Sequence, residues 1–326
     1  MTVAPQLPDR HAAVVYNPTK VDLERLTVRV ATAAAAAGWN ATRWYSTTMA
    51  DAGQRVTKTA IEQGASVVLA AGGDGTVRAV AEALRGSGVP IAIVPCGTGN
   101  LLARNLALPL TDQIAAIGAA FTGRDRHIDL GIAHITRADG ASEEHIFLVM
   151  AGLGLDAKMI ALANPKLKKT FGWLAYVDAG MRAIPDLKPV KLRFSIDGAP
   201  ERTTSVHTII VGNCGALPGG ILLMPEAKPD DGILNIAALK PSGPFGWVKV
   251  WNKVAWENGV LRKSALGRSL IDLAQDVKDV LYATGTDLRM TVEQPQEFQL
   301  DGDEFGAAKS VHAWVDPGAL TVKVPA

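Results

Sequence analysis

The run Val67-Val68-Leu69-Ala70-Ala71-Gly72-Gly73-Asp74-Gly75-Thr76-Val77 constrains this chain more than any other. Its apolar first half reads as a buried strand, its glycines and aspartate as a turn, and Thr76–Arg85 as a helix. A strand, a glycine turn and a helix N-terminus make an anion site. Glycine has no Cβ, so backbone N–H groups can close on phosphate oxygens, and the helix dipole favours the negative charge. An ordinary tight strand–helix turn of an α/β protein also uses Gly-Gly, so the segments around it decide between the two.

Those segments alternate. His11–Tyr16, Ala41–Ser46, Ser66–Ala71 and Pro90–Val94 are expected strands. Helices are expected from an Asp22 cap to about Gly38, over Ala50–Gly64, and from Leu101. This alternation predicts a doubly wound parallel sheet, and ligands of such sheets sit beyond the C-terminal strand ends. Asn17, Thr47, Gly73 and Thr98 all follow strand ends and should converge on one rim. After Asp129 the texture changes. Gly131–Thr136, His145–Met150, Val190–Ile196, Val206–Val211, Ile233–Leu239, Asp287–Val292, Glu297–Leu300 and Ala319–Val324 read as strands, with Asp197-Gly198, Asp231-Gly232 and Asp301-Gly302 among the turns. The expectation is an α/β domain over 1–129, completed by 313–326, and an antiparallel β domain over 130–312 with helical segments near Lys168–Met181 and Pro244–Val260.

Composition removes several function classes. A net charge of +1 and no basic stripe argue against nucleic acid. Two cysteines, Cys96 and Cys214, with no CxxC pairing argue for a reducing compartment and against a thiolate metal site. Met1–Arg10 lacks the apolar core of a signal peptide. The longest uncharged run, Thr203–Pro225, is broken by glycines and Pro218, as strand–loop–strand rather than membrane helix. The six histidines show no ligand spacing, and no Ser/His/Asp order stands out.

Neither glycine-rich strand end, Gly72–Thr76 or Gly97–Asn100, carries the lysine of a Walker A loop or a G-x-G-x-x-G fingerprint. Gly72-Gly73-Asp74-Gly75-Thr76 together with Pro95-Cys96-Gly97-Thr98-Gly99-Asn100-Leu101-Leu102-Ala103-Arg104 resembles the diacylglycerol kinase catalytic-domain family, which includes bacterial lipid kinases and sphingosine kinases. The resemblance runs along nearly the whole chain, through Asn17-Pro18-Thr19, Thr47, Ile128-Asp129-Leu130-Gly131, Ala151–Ala157, Lys228-Pro229-Asp230-Asp231-Gly232 and Leu300-Asp301-Gly302-Asp303. It implies a nucleotide cleft between an α/β domain and a β-sandwich-like domain, with ATP and Mg²⁺ as cofactors. It also implies a peripheral, cytoplasmic enzyme meeting its lipid at the inner face of a membrane. The oligomeric state is illegible, and a homodimer stays open.

The resemblance implies roles that chemistry makes sensible, because phosphoryl transfer needs held phosphates, a cation and a base near the acceptor hydroxyl. Gly72, Gly73, Asp74, Gly75, Thr76 and Val77 would cradle phosphate, with Asn17, Pro18, Thr19, Thr47 and Thr98 completing the nucleotide site. Asp74 would sit near the phosphate–Mg²⁺ cluster, and Asp129 would organise water and metal. Asp231, with carbonyls of Lys228 and Ile233, would form an oxygen site suited to Mg²⁺. Asp303 would be the general base. The family usually has Glu at that position, and Glu304 follows, but only Asp303 keeps the D-G-x register.

Two further departures stand out: Leu101 where the family often has Asp, and Lys20-Val21 where Ser-Gly commonly follows Asn-Pro-x. Lys166, Lys168 and Lys169 before Phe171, Trp173 and Tyr176 suit an anionic bilayer surface, as do Trp247, Trp251, Val254 and Asn258 with Lys249 and Lys253. Helical aromatic spacing equally describes core. Diacylglycerol is the expected acceptor. Other lipids such as a sphingoid base, an NAD kinase-like enzyme, and a non-catalytic lipid or nucleotide binder are the alternatives. 6-Phosphofructokinase shares the loop type but lacks this C-terminal half.

Overall fold

The computed structural model describes residues 10–154, 189–217, 221–240 and 280–326. The chain divides into two compact units, Met1–Asp129 with Pro317–Ala326, and Leu130–Asp316. Both lysine–aromatic segments (166–176 and 247–258), the two helices expected there and Leu155-Asp156-Ala157 lie outside the described residues.

The first unit runs β1 (Ala12–Tyr16), α1 (Leu23–Ala36), β2 (Arg43–Ser46), α2 (Gln54–Glu62), β3 (Val67–Gly72), α3 (Asp74–Leu84), β4 (Ile91–Pro95), α4 (Leu101–Asn105) and α5 (Gln113–Thr122), and then enters β5 (Arg124–Thr136). The sheet order is β2-β1-β3-β4, all parallel. All six residues of β3 are buried, as a strand covered on both faces requires. Val67, Leu69 and Ala71 share a core with Leu26 and Val30 of α1 and Ile117 and Ala120 of α5. Val15 faces the other way, where Gly53 approaches it together with Ala79 and Val80 of α3. Asp22 caps α1 by accepting from the Arg25 N–H at 3.1 Å. α2 starts later than the sequence suggests, because the carboxylate of Asp51 folds the preceding turn onto the N–H groups of Gly53, Arg55 and Val56. α5, capped by Asp112, is an element the sequence reading did not resolve.

The strands of the second unit are β6 (Ser142–Phe147), β7 (Met150–Leu153), β8 (Val190–Ile196), β9 (Arg202–Val206), β10 (Thr208–Gly212), the short β11 (Ala216–Leu217) and β12 (Ile221–Leu222), β13 (Leu234–Leu239), β14 (Val280–Gly285), β15 (Asp287–Leu300) and β16 (Asp303–Val324). Among the described residues, the second unit's strand pairs β5–β6, β7–β10, β7–β15, β8–β9, β8–β15, β10–β13, β13–β14 and β15–β16 are antiparallel. The strands pair in the order β14-β13-β10-β7-β15, with β8 and β9 added on β15. Phe147, Leu153, Ile209, Leu288, Phe298 and Val311 belong to one continuous core.

Several strands differ from the sequence reading. His145–Met150 is two strands, because the N–H groups of Leu148, Val149 and Met150 turn to the carboxylate of Asp301. Val206–Val211 divides at His207. Asp287–Leu300 is one bulged strand, with register shifts between Thr291 and Gln296 and between Glu297 and Gln299. β16 spans 22 residues where only its end, Ala319–Val324, was legible. Gly306, Pro317 and Gly318 read as breakers, and its first residues alternate too weakly to look like a strand. Its Val322 pairs in parallel with Ile91 in the first unit, while His312, Ala313 and Trp314 still pair with β15.

Candidate functional site

In the first unit the four parallel strands end side by side, and the residues that follow β1, β2 and β4 are each tied to a neighbouring strand. Thr47 N–H donates to Tyr16 O (2.9 Å), Asn17 N–H to Ala71 O (3.0 Å) and Cys96 N–H to Gly72 O (3.0 Å). The rim expected from the sequence is therefore built from Thr47, Asn17, Gly73 and the loop of Thr98. Thr47 is buried and Thr98 exposed. The Asn17-Pro18-Thr19 turn is fixed internally: Asn17 Oδ1 accepts from Thr19 N (3.0 Å) and Thr19 Oγ1 (2.8 Å).

The two glycine loops touch. A Cβ on Gly97 would lie 2.7 Å from Gly73 Cα, and one on Gly72 would lie 2.6 Å from Thr76 Cβ and Oγ1. Close approach, not a left-handed φ, is what demands glycine here. α3 begins at Asp74 without a side-chain cap from Gly73, and the N-terminus of a helix is the kind of backbone that can donate to an anion. The Asp74 carboxylate joins the loops, with Oδ1 accepting from Leu101 N–H at 2.5 Å. A Cβ on Gly99 would meet Asp74 Oδ2 at 2.6 Å. Leu101 is itself buried and contributes its backbone. Asp74 thus stands at the N-terminal ends of both α3 and α4, where a carboxylate is stabilised.

Asp129, 3% exposed, accepts from Gly318 N–H at 2.8 Å and holds the returning C-terminal segment to β5. Asp51 was not singled out by the sequence reading, yet it shapes the loop after Thr47. Thr48 and Asp51 form a bridge, and burial opposes ionisation of Asp51. The N–H donors of Arg55, Gly53 and Val56, together with the Arg55 charge, outweigh that burial and hold its carboxyl below the usual carboxylate range. Lys20 was noted only as a departure, but its Nζ lies 2.7 Å from where a Gly73 Cβ would be.

In the second unit Asp301 and Gly302 form the two-residue turn between β15 and β16. Both have positive φ, +50° and +88°, the pattern of a type I′ hairpin for which Asp-Gly is favoured. Asp301 is 5% exposed, and its carboxylate accepts from the N–H groups of Leu148 (2.9 Å), Val149 (2.8 Å) and Met150 (3.1 Å). Asp303 and Glu304, both exposed, open β16 opposite Leu300 and Gln299 respectively. They therefore point to opposite faces of the strand. Arg137, also missed in the sequence, pairs with Glu143 and donates to the carbonyls of Phe305 and Ala307, pinning the strand just beyond them.

The loop Lys228–Ile233 is exposed at Lys228, Asp231 and Ile233. Ile233 N–H donates to Asp231 Oδ1 at 3.1 Å, and Gly232 takes φ +72°. One carboxylate and main-chain carbonyls are the hard-oxygen set that Mg²⁺ accepts, so the residues present fit that ion. Among the described residues no group of three or more His, Cys, Asp or Glu side chains is placed to hold a metal.

Residues 11–133 match the diacylglycerol kinase catalytic domain, and residues 149–263 match the YegS C-terminal NAD kinase beta sandwich-like domain. The chain is 33% identical over 278 residues to the "Probable lipid kinase YegS-like" of Pseudomonas aeruginosa (strain UCBPP-PA14), covering 84% of this chain and 81% of that one. It is 25% identical over 301 residues to the diacylglycerol kinase of Bacillus subtilis (strain 168), covering 91% of each. A crystal structure of a diacylglycerol kinase from Bacillus anthracis superposes with a TM-score of 0.66 at 20% identity over 97% of both chains. Yeast NADH kinase superposes with a TM-score of 0.50 at 10% identity, over 98% of this chain and 84% of that one. These two likenesses concern the fold.

Proposed function

As a member of the diacylglycerol kinase catalytic-domain family this chain is a lipid kinase, and we propose that it transfers the γ-phosphate of ATP to the hydroxyl of diacylglycerol, giving phosphatidate. The observation that carries the acceptor half is the Asp301–Glu304 turn. Asp301 is committed to three backbone donors, so the hairpin presents Asp303 at the strand end on an ordered support.

In this reading Asp303 takes the proton of the lipid hydroxyl as that oxygen bonds to the γ-phosphorus and the bond to the ADP oxygen breaks. The N-terminal donors of α3, with Gly72, Gly73, Gly75 and Thr76, hold the phosphates. Asn17, Thr47 and Thr98 line the rest of the nucleotide's rim, while Asp74 locks the two glycine loops in register. Asp231 and the carbonyls of Lys228 and Ile233 would hold Mg²⁺, which supplies a fixed positive charge against phosphate or carboxylate. The acceptor being a lipid, the partner is a membrane surface approached from outside. Among the described residues no helix is long and apolar enough to cross a membrane.

The test is transfer from [γ-³²P]ATP onto diacylglycerol, monoacylglycerol, sphingosine and ceramide, with NAD as the soluble control. Label in phosphatidate above every other product is the expected result. Preference for sphingosine would move the proposal to sphingoid bases, and label in NADP alone would overturn it.

A further inference from the structure

We propose that Arg137 is a positioning residue for the transfer reaction, holding through a bulge in β16 the strand that aims Asp303. This rests on the reading of Asp303 as the general base. β15 and β16 change register between the pairs Gln299–Glu304 and Glu297–Ala307, so Phe305 and Gly306 together stand opposite Phe298 alone. Gly306 takes φ +69°, the left-handed conformation that glycine supplies in one class of bulge. A bulge interrupts the ladder and bends its strand, and this one begins two residues, about 7 Å, beyond Asp303.

The guanidinium of Arg137 takes over where the ladder gives way. It donates to the carbonyls on either side of Gly306, Phe305 O and Ala307 O, the latter at 3.0 Å, and pairs with the Glu143 carboxylate. A rigid planar fork of donors can bridge acceptors in this way, and a lysine ammonium cannot reproduce it. The arginine is anchored in its own right, because its N–H donates to Ala141 O at 2.8 Å in the β5–β6 turn. Burial opposes ionisation of Glu143, and the hydrogen bonds and charges of His145 and Arg137 overcome it and hold the carboxyl below its usual range. The His145 ring also packs on Phe305, with centroids 4.8 Å apart. The chain from Asp301 to Phe305 is therefore fastened at both ends, Asp301 to the N–H groups of Leu148, Val149 and Met150, and Phe305 to Arg137. Asp303 is the midpoint of that span, and its direction follows both fastenings. A general base must come within hydrogen-bond reach of the proton it takes, and a misplacement of about 1 Å can cost about 100-fold in rate.

The test is steady-state transfer from ATP by the parent, Arg137→Ala, Arg137→Lys, Asp303→Asn and the double variant Arg137→Ala/Asp303→Asn. It is run on whichever of diacylglycerol, sphingosine and NAD the parent phosphorylates. Arg137→Ala should lower kcat about 10- to 100-fold with the KM for ATP unchanged. Arg137→Lys, which keeps the charge but not the fork, should fall between it and the parent. In the Asp303→Asn background the Arg137→Ala change should cost less than about threefold, because a base that is absent cannot be misaimed. An unchanged kcat in Arg137→Ala would overturn the proposal, as would a loss that repeats in full in the Asp303→Asn background, the mark of a merely structural pin. If Arg137→Ala does not fold, Arg137→Lys with and without Asp303→Asn carries the same comparison. A coupled loss with NAD as the acceptor would uphold the positioning role while sinking the lipid-kinase reading. Diacylglycerol phosphorylation at the parental kcat in Arg137→Ala would do the reverse.

Discussion

The two glycine-containing turns of this protein, Gly72–Thr76 and Asp301–Gly302, hold their chemistry in place by different means. The first is made locally. A buried strand delivers the chain, α3 starts at once, and the fit comes from backbone meeting backbone, as Gly73 meets Gly97. The second is fixed by one side chain reaching back along the sequence, from Asp301 to Leu148, Val149 and Met150. In the first turn a side chain added at Gly72 is the damage; in the second, a side chain removed is.

That contrast orders the expected effects. Asp301→Ala should be the most severe, leaving three backbone donors without their acceptor and putting alanine at φ +50°. A loss of about 3–5 kcal/mol in urea unfolding is expected, since each buried unmet donor costs roughly 1–3 kcal/mol. Asp301→Asn, which keeps one acceptor oxygen and tolerates that φ, should fall between it and the parent. If Asp301→Ala unfolds like the parent, the clamp is not what holds the hairpin.

Gly97→Ala should come next, at about 1–3 kcal/mol, the range for forcing atoms into a packed site. Its mark should be weakened ATP binding, because Gly73 must move away from the new Cβ. An unchanged ATP affinity would mean that the contact between the loops does not shape the rim.

Asp51 should give the smallest effect, and a pH-dependent one. Its carboxyl lies below the ordinary value of 3.8 in the folded protein. The stability it contributes is therefore complete above the unfolded value and is lost as pH falls through the folded one. Asp51→Ala should cost about 0.5–2 kcal/mol at pH 7, as loss of a helix cap does, and the gap from the parent should narrow below about pH 4. A gap that stays constant from pH 7 to pH 3 would remove the charge from the explanation.

The same contrast explains what could be read from the sequence. The first unit was legible because its signals are local: an unbroken apolar run for β3, Asp22 before a periodic helix, glycines at strand ends. Asp51 escaped because it acts through atoms placed by the turn of the chain, and its residue type does not announce that. In the second unit the antiparallel class was legible from strand spacing and Asp-Gly turns. The break at Leu148–Val149 was not, since its cause lies at Asp301. Most of β16 was hidden behind Gly306, Pro317 and Gly318, which long-range pairing overrides. Asp303 could be singled out only through family resemblance, as an exposed Asp after a hairpin turn carries no chemistry of its own in sequence.

The central claim is that Asp303 serves the acceptor hydroxyl while the first unit serves ATP. The most direct measurement is the rate of phosphate transfer from ATP to diacylglycerol by the parent, Asp303→Asn and Glu304→Gln, with ATP affinity determined on the same preparations. Asp303→Asn should lose about 10²- to 10⁴-fold in kcat, the usual worth of a general base, with ATP affinity and folding intact, and Glu304→Gln should turn over close to the parent. Near-normal turnover by Asp303→Asn, or the same collapse in Glu304→Gln alone, would contradict the account.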